Sequence, residues 1–120
     1  DVAGVLVGNA EDRRAATGAT VAIFDGGATA GVATLGGAPG ARMVSALEPE
    51  MVGQRIDAVV LSGGSVYGLD AAGGASAVLC AQGRGMTFGG ITVPVAVQAI
   101  LFDLVNGGTE RGNAIAAEYT

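Results

Sequence analysis

The chain has 120 residues, half of them apolar, with 22 glycines, 4% aromatic residues and a formal net charge of −5. No cluster of Lys or Arg exists to displace counterions from a phosphate backbone, which removes nucleic acid from the candidate partners. The longest apolar stretches, residues 58–61 and 93–101, fall far short of a membrane span and follow no basic leader, so the chain reads as soluble and cytoplasmic with no membrane contact.

Such a length suits one compact domain, residues 1–120, or part of a larger one. With so few aromatic residues the core must come from Ala, Val, Leu and Ile, and the glycines let backbones approach closely. Histidine is absent, which excludes any Ser-His-Asp or Cys-His arrangement within the chain and removes the commonest metal ligand. Neither a metal nor another cofactor is expected. Cys80 is the only cysteine, so no internal disulfide forms; its apolar neighbours Val78, Leu79 and Ala81 predict a buried, inert thiol.

In chain order, residues 2–7 alternate small and branched apolar side chains and read as a strand ending in a turn at Gly8-Asn9. Residues 11–14 are the most charged stretch and read as a solvated loop. Residues 20–24 have strand composition, Asp25-Gly26-Gly27 reads as a turn, and residues 30–35 are expected to return as the hairpin partner. Gly36-Gly37-Ala38-Pro39-Gly40 is a loop, since Gly and Pro both disrupt regular pairing.

Residues 43–47 predict a short helical piece, and residues 58–61 a buried strand that runs into Ser62-Gly63-Gly64-Ser65. From 66 to 82 the chain is Ala-rich, with Leu69, Ala72, Ser76 and Leu79 at helical spacing. Gly73 and Gly74 cost about 1 kcal/mol each in a helix interior, which predicts another backbone packed closely against them. Residues 83–90 read as a loop and 91–104 as buried, extended chain, with a helix at 95–101 as the competing reading. A final amphipathic helix is expected within residues 110–119.

Residues 58–74 therefore form a strand, a Gly-Gly turn and a helix, and a helix N-terminus offers unpaired N–H groups able to hold a phosphate, a carboxylate or a developing oxyanion. A simple tight turn capped by Ser65 explains the same residues equally well. As a nucleotide site the turn lacks the GxGxxG spacing and the Lys of a phosphate loop.

Four motifs stand in one order: Gly36-Gly37-Ala38-Pro39-Gly40; residues 57–72 around Ser62-Gly63-Gly64-Ser65-Val66-Tyr67-Gly68-Leu69-Asp70; Val93-Pro94; and Ile100-Leu101-Phe102-Asp103-Leu104. Together they resemble the L-aminopeptidase/D-esterase family of self-processing hydrolases, which includes β-aminopeptidases and nylon-oligomer hydrolases, and the match covers nearly the whole chain. The resemblance implies an α/β (α+β) fold of the αββα sandwich type, present here in part as the N-terminal portion of the larger subunit. It implies a precursor that cuts itself before a Ser or Thr, whose hydroxyl then serves as nucleophile with its own α-amine as base. It also implies a smaller, nucleophile-bearing subunit as partner, a homo-oligomer of paired subunits, and a small amide or ester as substrate. Cleavage site and nucleophile would lie downstream of residue 120; Gly112-Asn113 is followed by Ala114, which has no hydroxyl to attack with.

The turn residues Gly63, Gly64 and Ser65, with Tyr67, are the candidate substrate-binding set, Tyr67 being equally explained by helix packing. Phe102 stands where some relatives carry a Tyr that assists the nucleophile, and without the hydroxyl it reads as a core residue. Asn9 and Leu35 depart from the His and Arg that relatives often carry there. Asp70 and Asp103 read as structural, capping or pairing with nearby Arg. Three functions stay in view: an enzyme subunit inactive alone, a catalytically silent binding or interaction domain that keeps the fold, and a nucleotide module on the Gly63 turn.

Overall fold

The computed structural model describes residues 2–53 and 55–108. Seven strands, two 3-10 turns and one α-helix follow in the order β1 (Val5–Asp12), β2 (Thr17–Thr29), β3 (Ala41–Arg42), a 3-10 turn (Val44–Leu47), β4 (Arg55–Ser62), a 3-10 turn (Ser65–Asp70), α1 (Ala71–Ala81), β5 (Met86–Phe88), β6 (Ile91–Val93) and β7 (Ala96–Ile100). The fold is mixed α and β, dominated by a five-stranded sheet of order β1-β2-β4-β7-β3, with β5-β6 as a separate hairpin.

The first hairpin is β1-β2, in continuous antiparallel register from Val5 opposite Phe24 to Asp12 opposite Thr17. The expected turn at Gly8-Asn9 is therefore strand, and Glu11 and Asp12 close it rather than opening a loop. Reversal waits for Asp12, whose Oδ1 accepts the N–H groups of Arg14 (2.7 Å) and Ala15 (3.2 Å), closing the turn locally. Asp25-Gly26-Gly27 is likewise not a turn. β2 passes through it, with φ of +76° and +78° at the two glycines, and its register on β4 shifts between Ile23 and Ala28. Positive φ at glycine serves a bulge as readily as a turn. Residues 30–35 consequently form no strand.

β4 pairs antiparallel with β2 on one side and parallel with β7 on the other. The parallel pair needs a crossover, and α1 supplies it. Residues 95–101 are thus mainly strand β7; the competing helix is overruled by pairing on two sides, with β4 and with β3. Ala58, Val60 and Ala96 bury against Ala71, Ala72 and Leu79 of α1, with Val21 and Ile23 packed alongside. Small residues let the helix sit close on the sheet. Gly73 meets no neighbouring backbone within reach: a Cβ there would touch only the Arg42 guanidinium, at 3.4 Å.

The opposite face of the sheet is covered only in part. Leu47, Ile56 and Val97 are buried with Phe24, Ala28, Ala30, Val59 and Val95 around them. Toward the other end the row Asn9, Thr20, Leu61, Ala99 follows from the register, and Leu61 there is 53% exposed.

Two further expectations are corrected. Cys80 is exposed, with its thiol 3.6 Å from the Thr92 carbonyl oxygen. Phe102 is 66% exposed rather than part of the core. Among the described residues no helix is long and apolar enough to cross a membrane. The expected C-terminal helix and the Gly112-Asn113 dipeptide lie outside the described residues.

Candidate functional site

Because β4 and β7 run parallel, both end on the same side of the sheet, and β2, antiparallel to β4, begins there. Three chain segments meet at this edge: the β1-β2 turn, the Gly63-Gly64 turn after β4, and residues 101–108 after β7. In sheets with parallel strands the carboxyl ends are where ligands bind, since the loops there diverge around the strand tips.

The Gly-Gly turn adopts the conformation its sequence demands. Gly64 has φ +83° and Ser65 φ +52°, so two left-handed residues follow one another where the 3-10 turn begins. Ser65 is not the cap; Gly64 occupies that position, and no side chain caps it. Asp70 likewise precedes α1 without a side-chain cap.

The turn's amides are already engaged. Gly63 N–H donates to Gly18 O (2.9 Å), Ser65 N–H to Leu101 O (3.1 Å), and Gly64 N–H to Asp103 Oδ1 (2.7 Å). A helix start with its first donors used internally is no ready anion site. This removes the physical basis for a phosphate-binding turn at Gly63 to Ser65.

Asp103 does more than cap. Its second oxygen accepts the Thr17 hydroxyl at 2.5 Å, so one carboxylate joins all three segments of the edge. A Cβ on Gly63 would stand 2.8 Å from Asp103 Cγ and nearer still to Oδ2 and to Thr17 Oγ1, so glycine is required for the carboxylate to approach. Asn106 reinforces the same link through its side-chain N–H to Ala16 O and its backbone N–H to Asp103 O (3.2 Å). Asp103 is structural, as the sequence suggests, but its partners are an amide and a hydroxyl instead of an arginine.

Beneath the turn lies Gln98, 1% exposed, whose Nε2 donates to Ser62 Oγ (2.7 Å) and to Gly68 O (2.5 Å). Ser62 Oγ donates to the same carbonyl at 3.0 Å. The Gly68 carbonyl thereby anchors the 3-10 turn to β4 and β7. Sequence reasoning passed over Gln98, although one amide inside the apolar run 95–101 is a signal, since a buried amide needs partners.

Two clefts flank the end of β7. The first, about 440 Å³, is lined by Ala38, Pro39, Gly40, Ser65, Val66, Ile100, Leu101 and Phe102. The second, about 610 Å³, opens on the uncovered sheet face and includes Asn9, Glu11, Thr20, Leu61 and Gly63, with Ile100 and Leu101 shared. Asn9 is held by the Thr20 hydroxyl at 2.7 Å. Gly63 thus borders one cleft and Ser65 the other, Gly64 lies buried between them, and Tyr67 lines neither. Three of the four sequence motifs converge on the smaller cleft, through residues 38–40, 65–66 and 100–102, and Phe102 forms its exposed wall. Val93-Pro94 sits away from it, where Pro94 leads from β6 to β7. No group of three or more His, Cys, Asp or Glu among the described residues could hold a metal ion.

A model of Peptidase family S58 matches residues 1–119. Uncharacterized aminopeptidases of Mycobacterium bovis and Mycobacterium tuberculosis are each 38% identical over 116 residues, covering 90% of this chain and 34% of theirs. One from Mycobacterium leprae is 40% identical over 92 residues, 77% of this chain and 25% of its own. The chain spans about a third or less of the length of these curated relatives.

Proposed function

Because this chain belongs to peptidase family S58, we propose that it is the N-terminal portion of the larger subunit of a self-processing hydrolase of small amides or esters. The nucleophilic Ser or Thr belongs to a downstream segment, released as a smaller subunit when the precursor cuts itself. Its own α-amine accepts the hydroxyl proton as the oxygen attacks the substrate carbonyl, and no histidine or metal is required. The whole assembles as a cytoplasmic homo-oligomer of paired subunits.

One observation carries this reading: motifs at residues 36–40, 65–66 and 100–102 form a single cleft at the strand ends, walled by Pro39, Val66 and Phe102. Within it this chain supplies wall and scaffold. Gly63, Gly64 and Ser65 shape the substrate's approach by keeping side chains off the strand tip, while their amides stay bonded within the chain. The partly bare sheet face bearing Leu61 is the inner face of an αββα sandwich, and the missing segment supplies the second sheet.

A second reading has its own support. With Phe102 lacking a hydroxyl and the turn's amides consumed, the same fold would serve as a catalytically silent binding domain. Expression of the complete precursor separates the two. The hydrolase reading expects two fragments on a denaturing gel, a new N-terminal Ser or Thr by sequencing, and turnover of an aminoacyl p-nitroanilide. The 120-residue chain alone should show no turnover, and activity of the purified chain by itself would count against this assignment. A precursor that stays whole and inert would leave the binding domain.

A further inference from the structure

The carboxylate of Asp103 lies where three segments of the chain meet, and nothing in the proposed chemistry uses it. Its two oxygens are both engaged, one by the Gly64 N–H at 2.7 Å and the other by the Thr17 hydroxyl at 2.5 Å. Phe102, the exposed wall of the smaller cleft, is its immediate neighbour in sequence. Ser65 and Val66, on the cleft's other side, follow directly from the Gly64 that Asp103 holds. The Ser65 N–H returns to the Leu101 carbonyl at 3.1 Å, so the two walls are tied to each other on both sides of the carboxylate.

We propose that Asp103 is a positioning residue for the cleft: by accepting the Gly64 N–H and the Thr17 hydroxyl it sets the separation of Phe102 from Ser65 and Val66. This rests on the cleft being the substrate site of the proposed hydrolase. With one oxygen given to the Gly64 N–H and the other to the Thr17 hydroxyl, the carboxylate serves as a link between chain segments. Gly63 belongs to the same device, because any side chain there would push the carboxylate away. Thr17 extends it to the β1-β2 turn, so the cleft is braced from a strand pair that lines only the second cleft.

The role makes an uncommon demand of the substitution series. Asparagine keeps an oxygen for the Gly64 N–H and offers an N–H to the Thr17 oxygen, so it preserves both links without the charge. Alanine preserves neither. In the complete, processed protein, Asp103→Ala should raise KM for an aminoacyl p-nitroanilide roughly tenfold or more while changing kcat by less than about threefold, the pattern of lost substrate binding with chemistry intact. Asp103→Asn should restore KM to near the parent's, with the pH profile unmoved. Thr17→Val, which deletes one link and risks the fold less, should give an intermediate KM.

The brace is also read without activity. Exchange of the Gly64 amide with deuterium should accelerate roughly 10- to 100-fold in Asp103→Ala, by the weight of a hydrogen bond to a charged group, and return toward the parent's in Asp103→Asn. The NMR lines of the Phe102 ring should shift and return in step. If Asp103→Asn and Asp103→Ala both lose kcat severely, with a changed pH profile, Asp103 acts in the chemistry and the positioning role is wrong. If Asp103→Ala leaves Gly64 exchange and the Phe102 lines where they were, the brace does not exist. Should the parent turn over no amide at all, the hydrolase reading fails, and the exchange and ring measurements still decide whether Asp103 holds the cleft walls.

Discussion

Replacing Gly68 by alanine should be the most damaging small substitution in the described chain. Its Cβ would fall 3.0 Å from the Gly63 carbonyl carbon, 3.1 Å from Ser62 Oγ, and closer than any real contact to the Gly63 oxygen. That oxygen is backbone in a buried turn, so it cannot rotate aside as a side chain would. Relief requires the 3-10 turn to lift from β4, and such overpacking costs about 1–3 kcal/mol. Lifting also strains the Gly68 carbonyl, which accepts from both Ser62 Oγ and Gln98 Nε2. Leaving buried donors without that acceptor adds about 1–3 kcal/mol. The expected loss is therefore about 2–6 kcal/mol, a large part of the roughly 5–15 kcal/mol that keeps a domain folded. Gly64→Ala puts a Cβ on left-handed backbone at φ +83°, a strain of about 1–2 kcal/mol. Gly31→Ala, with nothing within 4 Å, is the control. Urea unfolding of the complete protein, followed by circular dichroism, ranks the three. A Gly68→Ala variant as stable as Gly31→Ala, or more stable than Gly64→Ala, would show that the turn does not pack as described.

Phe102→Ala should change the unfolding free energy by no more than about 0.5 kcal/mol, because its ring is 66% exposed, whereas a buried Phe would lose about 3–5 kcal/mol; a large loss in denaturant titration would restore it to the core. Leu61→Lys should leave the 120-residue chain as stable as before, since that side chain already faces water, yet abolish folding or processing of the complete precursor if a second sheet covers the face. Equal processing of the variant and parent precursors on a gel would mean that nothing packs there.

The segment from β4 through α1 was legible because its signals agree. A short run of Val and Leu ends at paired glycines, and an Ala-rich stretch with Leu69, Ala72 and Leu79 at helical spacing follows. The loop at residues 36–40 and the short helical turn ending at Leu47 were legible for similar reasons of local chemistry. The β1-β2 hairpin was misplaced because Asp25-Gly26-Gly27 has the composition of a turn, and only the pairing of β2 with two neighbours turns it into a bulge. Residues 95–101 carry no period that separates strand from helix; the parallel partner β4 decides. Phe102, lacking a hydroxyl, and Cys80, among apolar neighbours, both read as core residues, an inference that holds only when enough chain surrounds a residue to bury it. Least legible was Asp103, whose partners lie 39 and 86 positions away.

The location of the cleft has a cause independent of any family. A parallel β4-α1-β7 unit brings two strand ends to one edge, and the chain must leave each by a loop. After β4 the loop is compressed by the Gly63-Gly64 reversal, which keeps the first residues of the following turn close to the strand tip. After β7 it runs outward through Leu101 and Phe102. A gap is left between the two, and Gly40 closes its floor: the Ile100 N–H donates to Gly40 O at 3.0 Å, and Ile100 Cγ1 and Cδ1 lie where a Cβ on Gly40 would stand. Glycine in the 36–40 loop is thus a packing requirement against β7 as well as a break in regular structure. Gly40, Gly63 and Gly68 each face an atom that leaves no room for a methyl group, so the backbones around the cleft pack closely. Their separation then depends on the side chains that hold the backbones together, and of those Asp103 reaches the most segments.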